Sequence, residues 1–237
     1  MTKVLCVTLP QQPDALFEIL YPYATPERKL RADQYRYRED GLRCLVAGEL
    51  LRRTVERELG ITEFQIVTES GGKPRIAGHD DFHFNLSHSG AHVAIAWGST
   101  PVGLDVQQMD PRVKQDRMAK RCFTLDEQEY IQQVSEKAME RFYQVWTGKE
   151  SYLKYLGTGL QKSLSSFSIL APGIAPMLQT RFLQDGYCLT LCTPDPDFVF
   201  ELDYESFFMR KTVGRNEDEI RNQGQQLSGC DLQSGKR

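Results

Sequence analysis

Phe82-His83-Phe84-Asn85-Leu86-Ser87-His88-Ser89-Gly90-Ala91-His92-Val93-Ala94-Ile95-Ala96-Trp97 is the stretch on which the fold turns. Phe82, Phe84 and Leu86 alternate with His83, Asn85 and Ser87, and after Ser89-Gly90 the alternation resumes through Val93, Ile95 and Trp97. Two period-two runs about a Ser-Gly break predict an antiparallel hairpin. A third strand follows: Val102, Leu104 and Val106 point one way, and Gly103, Asp105 and Gln107 the other.

Working outward, residues 4–9 read as a first strand. Thr25-Pro26-Glu27 opens a helix with a capping hydroxyl, a proline at the first helical position and an acid in the first turn. Leu42, Leu45, Val46, Leu50 and Val55 form a buried helical stripe that ends near Gly60. Residues 64–68 read as a short strand, and Ser70-Gly71-Gly72-Lys73-Pro74 as a loop. Beyond the hairpin, Arg112, Lys114, Arg117, Lys120 and Arg121 make a basic stretch. Helices are expected over residues 126–136 and 137–156, the second ended by Gly157-Thr158-Gly159. Strands are expected at 167–169, 188–192 and 198–202. From Val213 onward apolar residues nearly vanish, so 213–237 reads as a disordered tail.

The bulk numbers narrow the class. A chain of 237 residues with 40% hydrophobic and 26% charged residues is long enough for one large or two small cores, and it is globular in composition. A net charge of −3 gives no global field for nucleic acid. None of the six cysteines lies in a C-x-x-C pair, which fits reduced thiols in a cytoplasmic protein. No apolar run reaches the roughly 18 residues of a membrane span, and the first ten residues lack the marks of a signal peptide.

Several residues look chemical. Phe142, Val145, Trp146, Leu153 and Leu156 form one helix face, with Lys149 in its middle and Glu150 at its edge. A lysine there is costly unless it is paired or reaches a wet, charged pocket. Asp105 shares a strand face with Gln107, and carboxylate and amide oxygens suit a hard cation such as Mg²⁺. Ser87-His88 invites a hydrolase reading, but adjacent strand residues face opposite ways and no G-x-S-x-G elbow is present. His79, His83, His88 and His92 cluster in sequence, with a spacing that fits no common zinc motif.

Four motifs occur in order: Gly72-Lys73-Pro74, Phe84-Asn85-Leu86-Ser87-His88-Ser89, Val102-Gly103-Leu104-Asp105-Val106, and Trp146-Thr147-Gly148-Lys149-Glu150-Ser151-Tyr152-Leu153-Lys154. Together with Thr25-Pro26-Glu27-Arg28, the Arg43 region and Gly157-Thr158-Gly159-Leu160, they closely resemble the Sfp-type phosphopantetheinyl transferase family. The resemblance implies an α+β fold of two similar halves about a pseudo-two-fold axis, with the site in the cleft between them. The halves would be residues 1–106 and 107–212. It implies transfer of the phosphopantetheine arm of coenzyme A (CoA) to a serine of an acyl, polyketide or peptidyl carrier protein, with 3′,5′-ADP leaving. Asp105 and Glu150 match metal positions for Mg²⁺. Gln107 stands where many relatives carry a glutamate ligand. Glu150 is the expected base, so Glu150, Asp105 and Lys154 form the expected catalytic group. Lys149 and Lys154 match pyrophosphate contacts, and Ser87 and His88 match phosphate contacts, with His88 on the 3′-phosphate. Arg28, Arg31, Arg43, Lys73 and Pro74 match further CoA contacts. Glu127 matches an acidic position near the site. A monomer that uses neither nucleic acid nor membrane is expected, with the basic stretch docking acidic carriers. The competing readings are a CoA- or nucleotide-binding protein that lost turnover through Gln107, and a zinc hydrolase built on the histidines.

Overall fold

Alternation determines what each strand buries. In the computed structural model, residues 1–10, 13–68, 72–158 and 162–203 are described. Strand β4 (His83–Ser89) pairs antiparallel with β5 (His92–Gly98), as the sequence predicts. β5 also pairs antiparallel with β1 (Thr2–Thr8), and β9 (Phe198–Asp203) joins β1 in parallel, giving the order β4-β5-β1-β9. Leu5, Val7, Val93, Ile95 and Trp97 turn to one face and enter a first core. Val4, Cys6, Ala94 and Ala96 turn to the other and meet a second sheet. Both faces of β5 are therefore covered, and all seven of its residues are buried.

The first core is closed by helices. Thr25 Oγ1 accepts from the Arg28 amide at 3.3 Å and starts α2 (Pro26–Asp33) at the expected place. α3 (Arg38–Leu59) lays Leu42, Leu45, Val46, Leu50 and Val55 on the sheet, each 3% exposed or less. Such burial contributes about 1.5–3 kcal/mol per large aliphatic side chain. Gly60, at φ 70°, ends α3 in the left-handed conformation. A preceding helix, α1 (Pro13–Leu20), packs beside it and was not legible in the sequence. The strand expected at 64–68 shortens to β2 (Ile66–Thr68), which pairs with β3 (Pro74–Ile76).

The second sheet has the order β6-β8-β7, built from β6 (Gly103–Gln108), β7 (Leu178–Leu183) and β8 (Tyr187–Cys192). α4 (Gln115–Cys122), α5 (Leu125–Gln132) and α6 (Ala138–Leu156) form its helical layer, and α6 lies on β6 and β8. Leu104, Val106, Leu189 and Leu191 meet Val4, Cys6, Ala94 and Ala96, so the two sheets share a core of small and branched residues. The chain is thus α+β, in two similar halves that each back a sheet with one long helix.

Three expectations shift. β6 pairs wholly with β8, so the halves divide before Gly103 rather than at 106/107. β9 returns to the first sheet, so the second half does not keep the end of the chain. Residues 167–169 do not form a strand, because the Leu164 and Phe167 carbonyls accept hydrogen bonds from Lys149. The expected tail at 213–237, and Gly159 and Leu160, lie outside the described residues. No helix among the described residues is long and apolar enough to cross a membrane.

Candidate active site

The two sheets come together along β4 and β6, which belong to different sheets. Side chains bridge them instead of a backbone ladder. Asn85 Oδ1 accepts from the Leu104 amide at 2.9 Å, Ser87 Oγ from the Val106 amide at 3.2 Å, and Ser89 Oγ from the Gln108 amide at 2.9 Å. Residues two apart share a strand face, so Asn85, Ser87 and Ser89 meet the amides of 104, 106 and 108 in step. Each such bond is worth about 1 kcal/mol net, and leaving a buried amide unpaired costs about 1–3 kcal/mol. The Asn-x-Ser-x-Ser pattern therefore stitches the halves together, a role the sequence reading missed although its alternation carried the signal.

Glycine lets α6 approach β6. A Cβ on Gly103 would lie 2.5 Å from the Tyr155 amide nitrogen and closer still to the Ser151 carbonyl oxygen. The absence of that carbon brings Glu150 and Lys154 of α6 over the polar face of β6, where Asp105 is 2% exposed.

Asp105 is held from three sides. Ser87 Oγ donates to its Oδ1 at 3.0 Å, Lys154 Nζ donates to the same oxygen at 2.7 Å, and Gln107 Nε2 donates to Oδ2 at 3.1 Å. Lys154 also donates to the Leu104 carbonyl at 2.9 Å and to Ser87 Oγ at 3.2 Å. Burial and the charge of Asp105 together push the Glu150 carboxyl above its ordinary range, with Lys154 opposing. The Glu150 carboxyl thus feels the charge of Asp105 across the seam. Carboxylate oxygens are the donor type that hard cations such as Mg²⁺ take in general. Among the described residues no three His, Cys, Asp and Glu side chains gather as metal ligands, so a zinc cage on the histidines has no ligand set.

Cations gather beside the carboxylates. The His88 imidazole is pushed below its ordinary range, first by burial, then by Arg43, Lys154 and Arg31, with Asp40 opposing. Arg43 is fixed by donating to the Gly90 carbonyl at 2.7 Å and to Asp40 Oδ1 at 2.6 Å. Arg31 is exposed on α2. Arg28 lies along α3, reaching the Cys44 carbonyl at 3.5 Å and covering Gly48.

Five of the expected site residues make contacts within the protein. Lys149 is 0% exposed and pairs with Glu127 Oε2 at 2.8 Å, with the Leu164 carbonyl accepting at 2.7 Å and the Phe167 carbonyl supplying a third acceptor. Its three protons are all taken within the protein in this structure. Glu127, also 0% exposed, accepts from the Thr124 amide at 2.9 Å and the Ile169 amide at 2.8 Å, so it ties α5, α6 and the 164–169 loop together. The Ser87 hydroxyl donates once and accepts twice, which exhausts it. Lys73 donates to the Val102 carbonyl at 3.0 Å and the Tyr155 carbonyl at 2.9 Å, so part of its role is to cap the end of α6. The amide nitrogen of Gln107 donates to Asp105 Oδ2, so this side chain orients the carboxylate here. Pro74 opens β3.

Comparison with known proteins decides among the readings of this site. The sequence model described as "4'-phosphopantetheinyl transferase superfamily" matches residues 101–192, and that described as "4'-phosphopantetheinyl transferase, N-terminal" matches residues 11–100. The chain is 30% identical over 200 residues to 4'-phosphopantetheinyl transferase Sfp of Bacillus subtilis (strain 168), covering 78% of this chain and 88% of that protein. It is 32% identical over 194 residues to 4'-phosphopantetheinyl transferase psf-1 of Bacillus pumilus, covering 76% and 82%. The chain belongs to the Sfp-type 4'-phosphopantetheinyl transferase family. The two family matches meet at 100/101, just ahead of β6, where the sheets also divide. The chain is also 28% identical over 195 residues to 4'-phosphopantetheinyl transferase HetI of Nostoc sp. (strain PCC 7120 / SAG 25.82 / UTEX 2576), covering 79% of this chain and 81% of that protein.

Proposed function

We propose that this transferase moves the 4′-phosphopantetheine arm of CoA to a serine of an apo carrier protein and releases 3′,5′-ADP. One observation carries the reading. Asp105, Glu150 and Lys154 converge at the seam between the halves, beside the cationic group of Arg31, Arg43 and His88. That is the charge pattern a pyrophosphate and a 3′-phosphate require. Arg31, Arg43 and His88 take the 3′-phosphate. Arg28, held on the carbonyl of Cys44 next to Arg43, joins them as a further CoA contact.

Glu150 is the base. Burial and its neighbour Asp105 raise its proton affinity, so it is suited to accept the proton of the carrier serine. The serine oxygen forms a new bond to the phosphorus that bears pantetheine. The bond from that phosphorus to the bridging pyrophosphate oxygen breaks, and its electrons leave with 3′,5′-ADP. Lys154 faces the pyrophosphate and offsets the charge on the leaving group. Asp105 and Glu150 would hold Mg²⁺, which when bound supplies further charge neutralisation at the pyrophosphate. Arg112, Lys114, Arg117, Lys120 and Arg121 are all exposed around α4 and offer a docking face for an acidic carrier. We place the protein in the cytoplasm as a monomer.

The test is transfer from CoA to purified apo carrier protein, with Mg²⁺, with Mg²⁺ removed, and with zinc chelated. Mg²⁺-dependent modification with release of 3′,5′-ADP is expected. CoA binding without transfer to any carrier would favour the non-catalytic reading instead. Loss of activity on zinc chelation would favour the hydrolase.

A further inference from the structure

The site folds its own charges together. All three protons of the Lys154 ammonium are donated within the protein, to Asp105 Oδ1, Ser87 Oγ and the Leu104 carbonyl. Asp105 Oδ1 in turn receives both Lys154 and Ser87. A lysine so placed cannot touch a phosphate, and a carboxylate so occupied cannot turn Oδ1 to a metal ion. Lys154 takes its expected role only after it leaves Asp105, and until then its ammonium charge opposes a cation at that carboxylate. The means of separation is present: the Lys154 side chain is 30% exposed while Asp105 is 3% exposed, so the lysine can swing outward and the aspartate stays fixed. Lys154 also lies in the last turn of α6, where the exposed partial charge of the helix end holds a cation at little cost.

We propose that Lys154 is a built-in counter-ion that closes the metal position of the free transferase. It leaves Asp105 for the CoA pyrophosphate when a divalent cation arrives. One positive charge replaces another on Asp105, so the buried carboxylate is never left without a partner. Ser87 stays on Oδ1 through the exchange and keeps the carboxylate aimed. The consequence is order: substrate and metal load together, because the phosphate that accepts Lys154 is what frees Asp105, and each tightens the other by the same factor. This inference rests on the reading of Asp105 as a metal-binding residue of a CoA site.

The test needs no turnover. Mn²⁺ binding to the CoA-free protein is followed by electron paramagnetic resonance for the wild type, Lys154→Met, Lys154→Gln, Lys154→Arg and the double variant Asp105→Asn/Lys154→Met. Circular dichroism confirms that each variant is folded. Removing the competing ammonium should tighten Mn²⁺ binding by about tenfold or more in Lys154→Met and Lys154→Gln. Lys154→Arg should stay near the wild type, and the double variant should lose the gain. Met and Gln variants that bind Mn²⁺ no better than the wild type would overturn the proposal, as would a gain that survives Asp105→Asn. A wild type that fails to modify any carrier would sink the transfer reading and leave the Mn²⁺ result to stand or fall alone.

Discussion

Lys149→Met separates a lysine that binds substrate from one that holds the protein together. Lys149 and Glu127 are both 0% exposed and meet at 2.8 Å. Burial pushes the Lys149 ammonium below its ordinary range, with Glu127 opposing. Truncation leaves Glu127 buried with only the Thr124 and Ile169 amides, and leaves the Leu164 and Phe167 carbonyls without their lysine. Breaking one side of such a pair costs about 3–5 kcal/mol. That is a large share of the roughly 5–15 kcal/mol that stabilises a typical domain. The partner experiment is Glu127→Gln/Lys149→Met. It removes the stranded charge, although the glutamine oxygen can serve only one of the two amides that Glu127 accepts on its separate oxygens, so it should recover only part of the loss, about 1–3 kcal/mol. Urea unfolding of wild type, single and double variants measures the stability, and calorimetric titration of CoA into the folded proteins measures binding. We expect the unfolding free energy of Lys149→Met to fall by about 3–5 kcal/mol while CoA affinity changes less than about threefold. A Lys149→Met protein of wild-type stability that loses tenfold or more in CoA affinity would refute the reasoning and return Lys149 to the phosphates.

Gly103→Ala should force α6 away from β6, cost about 1–3 kcal/mol or more, and slow transfer by roughly 10²-fold through displaced Glu150 and Lys154. Wild-type melting temperature and rate in this variant would contradict the close approach. Glu150→Gln should abolish transfer yet stabilise the metal-free protein near neutral pH. The folded-state pKa of Glu150 is raised, so the stability carried by its protonated form is lost as pH climbs from the ordinary carboxylate range through the folded pKa. Melting curves with chelator present should therefore converge for the two proteins at low pH and separate at neutral pH. Curves that stay parallel would argue against a strained carboxylate. His88 should titrate below the ordinary histidine range by NMR in the free protein and shift upward on CoA binding. His88→Ala should weaken CoA by about 1.5–3 kcal/mol and dephospho-CoA hardly at all, whereas equal losses would remove His88 from the 3′-phosphate.

What the sequence revealed followed periodicity. The hairpin was legible because β4 and β5 alternate cleanly, and α3 because its stripe from Leu42 to Val55 stays apolar for about four turns. β7 was not, since Leu178-Gln179-Thr180-Arg181-Phe182-Leu183 exposes Phe182 and buries Leu183 at an edge with little contrast between faces. Residues 167–169 imitate a strand in their apolar pattern, but the nearby backbone is drawn to the Lys149 ammonium, a tertiary demand no local pattern encodes. At the site, Asp105 and Glu150 each stood out from their strand and helix faces, but only the family resemblance paired them. The split between the two lysines was partly visible earlier. Five residues on a helix turn the side chain by about 140°, so Lys149 and Lys154 cannot face the same surroundings. Lys149 stood in the apolar face, and its partner Glu127 sits on another helix, where sequence spacing gives no pairing signal.

The account stands on Asp105 and Glu150 flanking one cation at the CoA pyrophosphate, and the most direct measurement is an anomalous difference map of a crystal grown with CoA and Mn²⁺. It should show a single strong peak between the Asp105 and Glu150 carboxylates and against the pyrophosphate, with Lys154 turned from Asp105 to a phosphate oxygen and the 3′-phosphate beside His88 and Arg43. Bound CoA with its pyrophosphate elsewhere, or an ordered Mn²⁺ that touches neither carboxylate, would contradict it.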